Sequence, residues 1–265
     1  MRSSNPVLSR LGQVATQERA TGGGYGIYPG AAPGYAPPVG RTMTLDDVVV
    51  RTVALVALTG ISGAASWLLL PSGPVLALAV FGSMIAGMVL GLVIAFRRIT
   101  NPVAIGAYAV VEGVFLGVVS RFFEQRYPGI VVQAVVGTFG VFAGMAVLYK
   151  LRVLRATPRF TRFVIGALIG VVALSLVNWV VAMFGGNLHL IEYGVDGKVG
   201  MLPVIFSLVC IGIGALTFIL DFDAVEQGVR YGLPERYAWY CSFGLLVGLI
   251  FLYWQILRLL GYMRR

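Results

Sequence analysis

Residues 201–220 read MLPVIFSLVCIGIGALTFIL, twenty positions without a charge. The hydrocarbon core of a bilayer is about 30 Å thick and takes about 20 apolar helical residues to cross, so this run is read as a membrane span. Acids follow it at once. In FILDFDAVEQGV, residues 218–229, Asp221, Asp223 and Glu226 come directly after the apolar stretch. At about 1.5 Å per residue the two aspartates fall about 31 Å along the span, at its rim.

The same pattern recurs along the chain. Working outward, spans are expected at about Val48–Leu70, Val75–Phe96, Pro102–Phe123, Gly129–Tyr149, Arg162–Phe184, Gly200–Leu220 and Tyr237–Leu260. Thr44 with Asp46 and Asp47 has the make-up of a helix start, a hydroxyl cap followed by acids in the first turn. Asn101-Pro102 is another, because proline is tolerated in the first turn. The expected fold is an all-α integral membrane protein, a bundle of seven transmembrane helices.

Composition agrees. The chain has 265 residues, 58% hydrophobic and 12% charged, with a mean hydropathy of +0.87; soluble domains carry about a quarter charged residues. The net charge of +9 does not point to nucleic acid, because the basic residues sit between apolar runs rather than on one amphipathic face. Cys210 and Cys241 lie in or beside spans without metal-ligand spacing, as buried thiols do.

Residues 1–43 differ from the rest. GGGYGIYPGAAPGYAPPVG has no apolar periodicity, and such a segment buries too little surface to offset its ordering entropy. It is expected to be a disordered, Gly/Pro/Tyr-rich cytoplasmic tail ahead of a bundle over 44–265. Alternating the spans places fourteen Lys and Arg on the side of the tail and six on the other, which puts the N-terminus in the cytoplasm. The basic end RLLGYMRR leaves a re-entrant seventh segment open as an alternative.

Small residues repeat at four-residue spacing, as Gly87/Gly91, Gly113/Gly117, Gly140/Gly144, Gly166/Gly170 and Gly244/Gly248. Such pairs let a neighbouring helix approach closely, and a compact bundle is expected from them. Glu112, in AYAVVEGVFLG, falls about 15 Å into its span. An acid near the midplane costs about 2.5–3.5 kcal/mol on insertion scales, so it is protonated, paired or facing water. Arg97 and Arg98 close the second span at the depth of Asp221, and an Arg97–Asp221 latch would hold that mouth shut. GISG at 60–63 contains Ser62, but the lone histidine, His189, sits in a loop and gives it no evident base. An enzyme is not expected.

The chain resembles the Bax inhibitor-1 (YccA-like) family, the transmembrane Bax-inhibitor-motif proteins, in its bacterial branch. The residues that carry the likeness are AYAVVEGVFLGVVS at 107–120, ILDFDAVEQGV at 219–229, LPERYAWYCSFGL at 233–245 and LYWQILRLL at 252–260. The resemblance implies a bundle with its last helix central, acting as a pH-sensitive calcium leak of the bacterial cytoplasmic membrane. It also implies a proton-sensing pair of acids. Asp221 matches the first; the second falls on Gln255, an amide. Asp221 and Asp223 at the mouth, Glu112 near the midplane, and Gln255 with Asn178 beyond would offer a hard cation oxygen ligands through the membrane depth. Asp221 and Glu112 are then the transient calcium ligands.

The rival readings are a proton-coupled transporter, with Glu112 as proton carrier, and a non-conducting membrane chaperone or protease-modulating protein that needs none of these acids. Membrane lipid is an expected partner, with Lys150–Arg162 a basic loop suited to anionic head groups. Calcium is expected as permeant ion, membrane-protein partners through the tail, and no organic cofactor.

Overall fold

A computed structural model of the chain describes residues 41–71, 73–184 and 200–264. Seven helices are present among them: α1 Leu45–Leu69, α2 Pro74–Arg97, α3 Pro102–Arg126, α4 Ile130–Lys150, α5 Pro158–Met183, α6 Met201–Arg230 and α7 Tyr237–Met263. All seven are long and apolar enough to cross a membrane. The protein is an all-α membrane bundle. Residues 1–40 of the expected tail, and the loop 185–199 with His189, lie outside the described residues.

The helix starts follow the local chemistry. Thr44 caps α1 by accepting a hydrogen bond from the Asp47 amide at 3.2 Å, while Asp47 accepts from the Thr44 amide at 3.0 Å; this reciprocal pair satisfies two amides that no helical carbonyl can reach. Asn101 accepts from the Val103 amide at 2.9 Å, with Pro102 first in α3. Glu124, late in α3, reaches past the turn and accepts from the Gly129 and Val131 amides at 2.6 and 3.0 Å. It thereby caps α4.

The last helix is central. α7 packs against α1, α3, α4 and α6, whereas the backbone of α2 approaches only α3 and that of α5 only α6. One face of α7, with Phe243 and Leu246, meets Ile94, Ile105 and Tyr108 of α2 and α3. Its Gly248 meets Phe218 of α6. The end of α7 reaches the α3–α4 turn, where the Arg264 guanidinium donates to the Pro128 carbonyl at 2.8 Å. The seventh segment therefore crosses fully and is not re-entrant. We call the end where residue 44 enters the tail end, and the end at the α3–α4 turn the far end.

Two glycine pairs do what their spacing suggests. A Cβ on Gly117 would stand 2.1 Å from the Gly63 carbonyl oxygen, and one on Gly113 would stand 2.5 Å from that of Thr59, so α1 and α3 touch backbone to backbone. Gly87 and Gly91 receive Glu112 and Tyr108 of α3. The pairs Gly140/Gly144 and Gly166/Gly170 have nothing within 4 Å and lie on exposed helix faces. Small size permits close approach; it does not decide which stripe faces a neighbour.

Candidate functional site

The acids after residue 220 do not end their helix. α6 continues ten residues past Leu220, to Arg230. Side chains one turn apart support this extension: Gln227 donates to Asp223 at 2.5 Å, and Arg230 pairs with Glu226. Tyr149 of α4 also donates to Glu226, at 2.5 Å.

Asp221 is different. It is half-buried, and it has neither a hydrogen bond nor an ion pair among the described residues. Gly248 opposite Phe218 and Gly214 opposite Phe251 set an antiparallel register between α6 and α7. That register places Asp221 level with Leu245, about 12 Å inside the start of α7. The carboxyl thus lies two turns deeper than the rim, close enough to Cys241 of α7 for the two groups to interact electrostatically.

Arg97 and Arg98 do not form the expected latch. Neither makes an ion pair with Asp221, because α3 and α7 stand between α2 and α6. The tail end carries another closure. Arg51 of α1 donates to the Glu235 carbonyl at 3.0 Å and pairs with its carboxylate at 2.5 Å; the guanidinium also lies 5.4 Å from the centre of the Trp239 ring. Just before α1, the Met43 amide donates to the Leu233 carbonyl at 2.8 Å, and the Glu235 amide to the Arg41 carbonyl at 2.9 Å. Residues 41–43 form a strap over the α6–α7 turn, with Met43 fully buried against Gly228.

Glu112 does not share a space with Asp221. Its carboxyl lies between α3 and α2, beside Gly87, with Tyr108 one turn earlier on the same helix face. Gln255 is buried on α7, and Asn178 is buried on α5. Glu112, between α2 and α3, and Asp221, on α6 beside Cys241 of α7, therefore face separate helix interfaces. A cavity of about 320 Å³ does open among α1, α3, α4 and α7, toward the far end. Thr59, Gly63, Gly117, Thr138 and Tyr253 line it, and Glu112, Asp221 and Gln255 are not among its walls. The Ser62 hydroxyl donates to the Thr59 carbonyl at 3.1 Å and lies against Gly113.

Residues 5–265 match the protein-family model described as Bax inhibitor 1 like. The chain belongs to that family. No curated protein matches it. The match extends from the bundle into the tail, beyond the motifs quoted above. Within this Bax inhibitor 1 like bundle the two positions of the expected acid pair are well apart: Gln255 lies about ten residues, or about 15 Å, farther along α7 than the level of Asp221. Gln255 instead accepts a hydrogen bond from Arg258, at 2.6 Å. Arg258 is itself buried, at 8% exposed. A glutamine three residues before an arginine in an apolar helix was the available sign, since that spacing puts both on one face.

Proposed function

We propose that this Bax inhibitor 1 like protein is a pH-sensitive calcium leak of the bacterial cytoplasmic membrane, with the tail end in the cytoplasm and Asp221 at the inner constriction. One observation carries the reading. Asp221 is a carboxyl inside the α6–α7 seam, two turns within the bundle, with no basic side chain among the described residues paired to it. An ionised group taken out of water costs several kcal/mol unless it is compensated. The compensation is then mobile: a calcium ion passing, or a proton that removes the charge. Oxygen ligands suit calcium, and protonation of Asp221 withdraws its ligand, which is the source of pH sensitivity. With an amide at Gln255, Asp221 senses pH alone among the two positions. Asp223 and Glu226, held by Gln227, Arg230 and Tyr149, form the vestibule. The strap 41–43 and the Arg51–Glu235 pair close the mouth in place of the Arg97–Asp221 latch.

The test is calcium efflux from liposomes holding the purified protein, at two pH values. The pH dependence should vanish in Asp221→Asn and persist in Arg97→Ala. Flux that is the same in Asp221→Asn as in the unmodified protein, at both pH values, removes the proposal.

A proton-coupled transporter is the second reading, and Glu112 favours it. That carboxyl is half-buried between α3 and a peripheral helix, α2, whose backbone approaches no other helix. Movement of α2 would expose the acid alternately, as a carrier requires. Saturable counter-flow that is lost in Glu112→Gln would select this reading over the leak. Neutralising Asp221, Asp223 and Glu112 together without effect on either transport assay would select a chaperone or protease-modulating role.

A further inference from the structure

Arg258 is a guanidinium inside the bundle, five residues before the end of α7. Its hydrogen bond among the described residues is the one from Nη2 to Gln255, and its Nε is enclosed without a partner. Among the described residues no ion pair neutralises it. A buried carboxyl escapes such a position by taking up a proton, but arginine stays charged at any pH a protein meets. The counter-charge has to be supplied.

Among the described residues, the surroundings supply donors rather than a negative charge. The α6–α7 register set by Gly214 with Phe251 and Gly248 with Phe218 continues toward the far end, placing Ser207 level with Arg258 and Cys210 level with Gln255. Ser207 lies two helical turns before Gly214 on the same face of α6. It is completely buried, and its hydroxyl has no hydrogen-bond partner among the described residues. Arg258 is near enough to Cys210 for its charge to act on the thiol. Because Gln255 spends its carbonyl oxygen on Arg258, its amide N–H groups are what remain. The seam thus gathers a permanent cation, a hydroxyl and an amide.

We propose that the far ends of α6 and α7 bind a small inorganic anion of the chloride class, held by Arg258 with Ser207 and Gln255 as neutral donors. A compact ion is specified because Ser207 and Arg258 are both enclosed, which leaves no place for a bulky head group. The site is independent of the cation pathway and neutralises a fixed charge that no proton can remove.

The test uses the purified full chain in neutral detergent, with sodium chloride replacing sodium gluconate at constant ionic strength. Thermal unfolding followed by tryptophan fluorescence should show a saturable rise, roughly 3–6 °C at ten times the dissociation constant. Arg258→Gln should be flat in chloride; Arg258→Lys and Ser207→Ala should respond with a higher half-saturation. The proposal is overturned by a wild-type protein indifferent to chloride, which needs no variant to fold, or by an Arg258→Gln protein that responds like wild type. A rise produced by phosphatidylglycerol in gluconate, with no response to chloride, assigns the counter-charge to a lipid phosphate and overturns the small-anion site.

Discussion

The carboxyl of Glu112 occupies the place where Gly87 has no side chain: a Cβ on Gly87 would stand 2.6 Å from Glu112 Oε1. One turn away, Gly91 does the same for the ring of Tyr108. These two notches seat α2, whose backbone approaches no other helix. An acid near the midplane of its helix is thus part of the packing between α2 and α3, whatever protons it exchanges.

The glycine contacts predict a graded response to alanine. At Gly117 the obstacle is the Gly63 backbone, which cannot move without displacing α1. Gly117→Ala should destabilise by about 3 kcal/mol, at the upper end of overpacking costs. At Gly87 the obstacle is the tip of a flexible side chain, so Gly87→Ala should cost about 1 kcal/mol. Gly140→Ala, with open space around it, should be neutral. Chemical unfolding of the three variants in detergent gives the order, and a Gly140 variant as damaged as Gly117 would contradict it.

Those same glycines mark how far the sequence could be read. All seven spans were visible because crossing lipid demands length and apolarity, which are local properties. The pairing of helices was not, since five glycine pairs look alike and only their neighbours distinguish them. The span is expected to end at Leu220, whereas the helix runs ten residues farther, to Arg230. Charge ends the membrane but not the backbone pattern, and the Asp223–Gln227 and Glu226–Arg230 contacts sustain the helix beyond it. Asp221 was legible as an acid after an apolar run; its depth and its lack of a partner depend on α7 and were not.

The strap at the tail end gives a second prediction. Met43 is 1% exposed and should cost about 2–5 kcal/mol on replacement by alanine, the range for large-to-small changes in a core. The Arg51–Glu235 pair is partly exposed, so a double-mutant cycle should return about 1 kcal/mol or less of coupling. Limited proteolysis should cut Met43→Ala near residue 43 faster than the unmodified chain. Equal rates would mean that the strap does not depend on this anchor.

A third prediction concerns the wall of the far-end cavity. Tyr253 of α7 and Ser120 of α3 share a hydrogen bond of 2.6 Å. Interhelical bonds of this kind in membranes average about 0.6 kcal/mol and reach about 1.7. Tyr253→Phe should lose an amount in that range, and Ser120→Ala combined with it should lose little more. Additive losses from the two changes would show that the hydroxyls do not act as a pair.

Gln255→Glu tests the buried charge from the opposite direction. The Gln255 oxygen already accepts from Arg258, so a glutamate there needs no change of shape to become the missing counter-ion. The hydrogen bond from the charged guanidinium to a neutral amide oxygen becomes a bond between opposite charges, which adds direct attraction to the charge assistance already present. The variant should therefore be more stable than the unmodified protein in gluconate. It should also lose its response to chloride, because the guanidinium no longer needs an ion from solution. Thermal unfolding in the two salts reads both effects at once. If Gln255→Glu were instead less stable and still responded to chloride, the guanidinium could not be the group that the anion neutralises. The cost of burying a second charge would then exceed the attraction between the two.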